Sequence, residues 1–223
     1  MNYLDIYKDI NEVLLSSEKP SKELYVILES INDLYPFTMI VDMASVPQEP
    51  KYHPEGDVLI HTMMVVDEAA RRRGLSTDEE ALMWSALLHD LGKKETTKRR
   101  KGRWTSYDHD KVGEEKVKNF FYAISGGPEL MELSNRVEKL TRWHMQTLFI
   151  TKKLPFADVD GMFSEVDIQE LALLSLCDRL GRGGLNRQER LQVVEQINEF
   201  LTIVGKQKGV KYKKFNNEGM DYN

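Results

Sequence analysis

The stretch Ala86-Leu87-Leu88-His89-Asp90-Leu91-Gly92-Lys93 decides how the chain is read. An apolar helical run ends on an imidazole and a carboxylate flanked by leucines. A buried ionised carboxylate is costly unless it is paired or bound to metal. Adjacent helical positions diverge by about 100°, so His89 and Asp90 cannot both face the same apolar core. At a helix terminus both can reach one point. Two further polar residues interrupt apolar runs: His61, within Val58-Leu59-Ile60-His61-Thr62-Met63-Met64, and Asp178, after Leu173-Leu174-Ser175-Leu176-Cys177. Imidazole with carboxylate suits Mn, Fe, Ni, Co or Zn. On spacing alone the plainer reading holds as well. A lone histidine in an apolar helix is most often a hydrogen-bonded core residue, and Asp178 could pair with Arg179 or Arg182.

The surrounding sequence reads as all-α. Tyr3, Ile6, Tyr7, Ile10, Val13 and Leu14 follow one helical face, as do Leu24, Ile27, Leu28, Ile31 and Leu34 after an N-cap at Ser21. Four prolines between residues 36 and 54 predict an irregular connector. Further helices are expected from Val58 to about Arg73 with Gly74 as C-cap, and from a cap at Ser76 or Thr77 to Leu91-Gly92. Others are expected from Asp110 to Ile124, stopped by Ser125-Gly126-Gly127-Pro128, and from about Glu129 to Leu148. The last two run from Asp167 to Leu180 and from Asn186 to Val204. A Lys/Asn/Gly-rich tail should fray. No period-2 strand and no repeat is evident. The organisation expected is one domain over 1–223. It comprises an N-terminal helical extension (1–49), a core (50–185), and a C-terminal helix with flexible tail (186–223).

The chain has 223 residues, enough for a core without covalent staples. Its one cysteine, Cys177, excludes an intrachain disulfide and an all-cysteine zinc site. A net charge of −5 argues against a general nucleic-acid coater. Locally the balance reverses: Lys93, Lys94, Lys98, Arg99, Arg100, Lys101 and Arg103 stand against Glu95 alone. As a solvated loop that run needs no explanation; beside a phosphoesterase site it would funnel a polyanion, with Trp104 and Tyr107 as stacking faces. No apolar run is long enough to span a membrane and no secretory signal is seen. A cytoplasmic protein without membrane or obligate protein partner is expected.

The order His61 … His89-Asp90 … Asp178 resembles the signature of the HD superfamily of metal-dependent phosphohydrolases. His53-Pro54-Glu55-Gly56-Asp57-Val58 with His61-Thr62, and Cys177-Asp178-Arg179 with Gly181-Arg182, resemble the HD domain attached to many bacterial tRNA nucleotidyltransferases. The likeness covers about residues 50–185. No nucleotidyltransferase head is found ahead of it, and Gly126-Gly127 is followed by Pro128 rather than a serine and paired acids, so nucleotide addition is not expected. The resemblance implies an HD-domain helical bundle in which His61, His89, Asp90 and Asp178 surround a divalent metal (Mn, Fe, Ni, Co, Mg or Zn). The order H…HD…H…H…D also resembles members that hold two ions. There Asp90 would bridge, and His109 and His144 would complete the second site; otherwise these two are surface residues or bind substrate phosphate.

The activity implied is hydrolysis of a nucleotide or RNA-end phosphoester, as a phosphatase or 2′,3′-cyclic phosphodiesterase, by metal-activated water. Asp90 would be ligand and proton acceptor, and Lys93 would reach the non-bridging oxygens. Arg142 and Arg179 are weaker phosphate candidates, with a surface or interhelical ion pair as the alternative for each. Two other functions remain open: a non-catalytic tRNA- or RNA-binding helical module, and a di-iron HD oxygenase.

Overall fold

The computed structural model describes residues 2–124 and 127–216. It is an all-helical bundle with one small hairpin. In chain order it comprises α1 (Tyr3–Ser16), α2 (Pro20–Ser30), α3 (Thr38–Val41), α4 (Val58–Ala70), α5 (Glu79–Leu88) and α6 (Lys93–Thr96). The hairpin β1 (Thr97–Arg100) and β2 (Arg103–Ser106) follows, and then α7 (His109–Ile124), α8 (Gly127–Trp143), α9 (Gln146–Thr151), α10 (Val159–Glu165), α11 (Ile168–Leu180) and α12 (Arg187–Lys208).

The most apolar segments become the central helices. On α4, Val58, Leu59, Met63, Val65, Val66 and Ala69 are buried, and on α11 so are Ile168, Leu171, Leu173, Leu174 and Leu176. Each large side chain buried this way contributes roughly 1.5–3 kcal/mol before entropic costs. Helices α5 and α8 complete the centre. The N-terminal helices pack onto this core: Tyr7 stacks on Trp84 with ring centroids 5.0 Å apart, and Trp84 Nε1 donates to Asn11 Oδ1 at 2.8 Å. Glu68 on α4 accepts from Arg190 on α12 at 2.8 Å, pinning the C-terminal helix to the same bundle.

Several boundaries differ from expectation for local reasons. Pro20 opens α2, and Ser21 gives its hydroxyl to Asp67 at 2.8 Å instead of capping. Helix α4 stops at Ala70, and Gly74 falls in a 3-10 turn, Arg73–Leu75, with an ordinary negative φ. Asp78 caps α5, freeing the Ser76 and Thr77 hydroxyls to bind Glu170. The expected 129–148 helix breaks after Trp143, and α9 starts afresh at Gln146. The expected stop at Ser125-Gly126 lies outside the described residues, while Gly127 and Pro128 open α8. The described part of the tail is held rather than frayed: the Asn198 and Gln169 amides make paired bonds to the backbone of Phe215 and Lys213. The largest correction is the hairpin, in a segment with no apolar period. Its Lys101-Gly102 turn has φ of 48° and 80°, the left-handed pair that a tight two-residue hairpin requires and that glycine accommodates.

The topology gathers five helix ends. The start of α4, the ends of α5, α8 and α11, and the start of α7 carry, respectively, His61, His89, His144, Asp178 and His109.

Candidate metal centre

Asp90 lies at the middle of this end of the bundle, 1% exposed, in the turn after α5. Its Oδ2 is 3.3 Å from His89 Nε2 and 3.9 Å from His61 Nε2. Its Oδ1 is 3.5 Å from His109 Nε2. His61 Nε2 is in turn 3.1 Å from Asp178 Oδ1, and His109 Nε2 is 3.1 Å from His144 Nε2. Two clusters therefore share one carboxylate: His61–His89–Asp90 and Asp90–His109–His144, each with ligand atoms within 4.8 Å of one another. Asp178 joins the first through His61.

The imidazoles are oriented by their outer nitrogens. Nδ1 faces the Ala86 carbonyl in His89 (3.0 Å), the Ser106 carbonyl in His109 (2.7 Å) and the Thr141 carbonyl in His144 (2.6 Å). A carbonyl only accepts, so each Nδ1 carries the proton and each Nε2 turns a lone pair inward. His89 Nε2 is buried with no hydrogen-bond partner among the described residues, and the lone pairs of His109 and His144 oppose one another. Buried acceptors so arranged are costly unless a cation or proton lies between them. The donor set fits a divalent metal ion on this ground. Each outer hydrogen bond of this kind fixes the tautomer and ring of a metal-binding histidine.

Electrostatics agree. Burial alone would raise Asp90, but the Lys93 ammonium and the His89 and His109 rings overcome it and hold the carboxyl well below the usual range. Burial is likewise overcome at Asp178 by His61 and by the Arg182 guanidinium. His61 sits between two carboxylates, Glu55 on Nδ1 and Asp178 on Nε2, which raise its pKa against the effect of burial. Burial takes His109 down to about 4 and lowers His144 also, so both are neutral donors at pH 7.

Lys93 is at the rim, its Nζ 2.7 Å from Asp90 Oδ2 and 2.8 Å from Gln48 Oε1. The two arginine candidates are engaged elsewhere. Arg142 pairs with Asp110 at 2.9 Å and lies over the Trp143 ring. Arg179, 6% exposed, donates to Gln196 and Thr147. Arg142 thus makes an interhelical ion pair, whereas Arg179 makes interhelical hydrogen bonds to neutral acceptors. Arg182, whose charge helps hold down Asp178, is the arginine felt at the site.

Two residues of the site were missed as participants. Glu55 accepts from His53 Nδ1 (2.9 Å), His61 Nδ1 (3.0 Å) and the Gly183 backbone N–H (3.0 Å), and its side chain is 2% exposed. Gln48 orients Lys93. Glu55 lay within the His53-Pro54-Glu55-Gly56 motif, which was the available signal; nothing marked Gln48. Glu55→Gln is expected to weaken metal affinity about 10- to 100-fold with the fold retained, measured by calorimetric titration of Mn²⁺. Unchanged affinity would show that His61 needs no such support.

Comparison with known proteins follows the same outline. The HD domain family matches residues 58–183. The chain is 32% identical over 181 residues to the "Multifunctional CCA protein" of Shewanella frigidimarina, covering 78% of this chain and 41% of that protein. It is 36% identical over 122 residues to the protein of the same name from Neisseria meningitidis serogroup C, covering 55% of this chain and 25% of that one. To that of Dechloromonas aromatica it is 43% identical over 83 residues, 37% of this chain and 19% of the relative. It thus spans less than half the length of each. The match runs from the first residue of α4 through Asp178, across the described cluster of imidazoles and carboxylates, and on this basis the chain belongs to the HD domain family, whose members are generally divalent-metal-dependent phosphohydrolases.

Proposed function

We propose that the protein hydrolyses a phosphoester of a nucleotide or an RNA end, as a phosphatase or 2′,3′-cyclic phosphodiesterase. The observation that carries the reading is the position of Asp90, one oxygen toward His61 and His89 and the other toward His109. Four inward Nε2 atoms, Asp90 and Asp178 would hold one or two divalent ions. Bound there, such an ion supplies Lewis acidity and an activated water near neutral pH.

The chain's own residues do the rest. Asp90 anchors the site's charge, but held so far below its ordinary pKa it is a weak base. When Lys93 turns onto the phosphoryl oxygens, one of the charges that hold Asp90 down is drawn away, and Asp90 stands where it can take the proton of the attacking water. A P–O bond to water forms, the ester P–O bond breaks, and the leaving oxygen is reprotonated from solvent. Arg182 is the second cation near the phosphoryl group. The CCA-named relatives support an RNA end as the substrate class.

Chelation is expected to abolish turnover of 2′,3′-cyclic nucleotides and of model phosphodiesters, and Mn²⁺, Ni²⁺ or Co²⁺ to restore it. Turnover that survives exhaustive chelation would defeat the reading. A non-catalytic RNA-binding module is favoured by the basic hairpin alone, and in such a module the buried imidazole cluster has no task. Oxygen consumption by the iron-loaded protein would be the mark of an oxygenase.

A further inference from the structure

The hairpin between Lys93 and His109 has a composition that folding does not explain. Its ten residues, 97–106, carry five cations and no acid. Lys98, Arg99, Lys101 and Arg103 are exposed, and among the described residues none of them makes an ion pair. Arg100 is directly opposite Arg103 in the ladder, and side-chain alternation puts Lys98 on the same face. Like charges opposite one another destabilise a strand pair, and a two-stranded hairpin is marginal to begin with. The arrangement therefore stores repulsion that an anion would relieve.

Topology says where that anion lies. The hairpin leaves the chain four residues after Lys93 and returns through Ser106, whose carbonyl orients His109. One foot thus touches the candidate metal centre through His109, and the other, Thr97, is bonded to the first through the Ser106 hydroxyl. Trp104 N–H is tethered to Glu49, next to the glutamine that holds Lys93. Four-residue strands reach about 13 Å from the feet, a ladder that successive phosphates can follow and a single phosphate cannot. Tyr107, 65% exposed, already has the Arg100 guanidinium 4.9 Å from its ring, and exposed aromatics beside cations are what unpaired bases stack on.

We infer that the β1–β2 hairpin grips the backbone of a single-stranded RNA whose terminal phosphate enters the metal centre, so that the protein acts on polynucleotide ends in preference to free nucleotides. The inference rests on the phosphohydrolase reading for the identity of its ligand. Anionic membrane is the weaker match, since the hairpin tip is Lys101-Gly102 with no apolar residue to insert.

The test is fluorescence anisotropy with a short labelled single-stranded RNA, comparing the 223-residue protein with its K98Q/R99Q/R103Q variant. Wild type is expected to bind with steep salt dependence. The variant should bind at least tenfold more weakly near 0.1 M salt, with a log–log salt slope shallower by about 2, since each phosphate contact on a single strand contributes about 0.7. Unchanged affinity and slope would overturn the grip, as would hairpin-dependent binding to phosphatidylserine vesicles with RNA unbound. Turnover of a 2′,3′-cyclic mononucleotide by the Mn²⁺-loaded wild type is measured alongside. Turnover without hairpin-dependent RNA binding removes the grip alone; hairpin-dependent RNA binding without turnover of any phosphoester keeps the grip and removes the phosphohydrolase reading.

Discussion

Asp90→Asn is expected to lower turnover on the order of 10³-fold or more, while the helical circular dichroism survives. The substitution keeps shape and volume and removes the negative charge. It turns one of two oxygens into an amide NH2, either the one 3.3 Å from His89 and 3.9 Å from His61 or the one 3.5 Å from His109, and leaves the other as an uncharged amide oxygen. It also leaves Lys93 without its carboxylate partner, although Lys93 keeps Gln48 and some access to solvent. Metal content should fall with activity, because both clusters are joined through this residue. Elemental analysis of the purified variant separates that result from a loss of chemistry alone. An Asp90→Asn protein that turns over at the wild-type rate would remove the role proposed for Asp90.

Gly92→Ala is expected to do comparable damage by a different route. A Cβ on Gly92 would lie 2.1 Å from the His109 carbonyl oxygen and 2.6 Å from the Gly113 backbone nitrogen. Both are backbone atoms, so no side chain can swing aside and the start of α7 must move. Overpacking against backbone at this distance should cost about 3 kcal/mol or more, a fall in Tm of roughly 10 °C for a chain of this length. The displacement carries His109 away from His144 and Asp90. The His61–His89–Asp90 half should keep its ion while the His109–His144 half loses affinity, visible as a drop in metal stoichiometry. Gly113→Ala, which would meet a Thr141 methyl at 2.9 Å, should be milder. Equal stability of Gly92→Ala and wild type would show that α6 and α7 can part without loss.

How far the fold was readable depends on what each segment buries. Helices α1, α4, α11 and α12 bury apolar stripes or whole apolar surfaces, and their period survives in the letters. The β1–β2 hairpin buries almost nothing on either face, so Thr97-Lys98-Arg99-Arg100 and Arg103-Trp104-Thr105-Ser106 show no alternation. The break after Trp143 was hidden because Leu148, Phe149 and Ile150 continue the apolar rhythm; what ends α8 there is the turn that brings His144 Nδ1 back to the Thr141 carbonyl. In the candidate centre, His61, His89, Asp90 and Asp178 were readable because their order resembles a known signature. Gln48, and Glu55 as a participant, were not. Glu55 acts across 128 positions to reach Gly183, and Gln48 across 45 to reach Lys93, distances over which one sequence records nothing. Arg142 and Arg179 were the converse: residues in suggestive company whose acceptors on neighbouring helices leave them no share in the cluster.

The three hydrogen bonds of Glu55 have a consequence for how such a unit travels between proteins. One acid ties the segment just ahead of α4 to the backbone just beyond α11, at the two margins of the family match. The matched segment is thereby clasped at both margins, and the imidazole set is anchored from inside the clasp. A longer chain that carries this segment together with its glutamate would carry the anchoring of His61 with it.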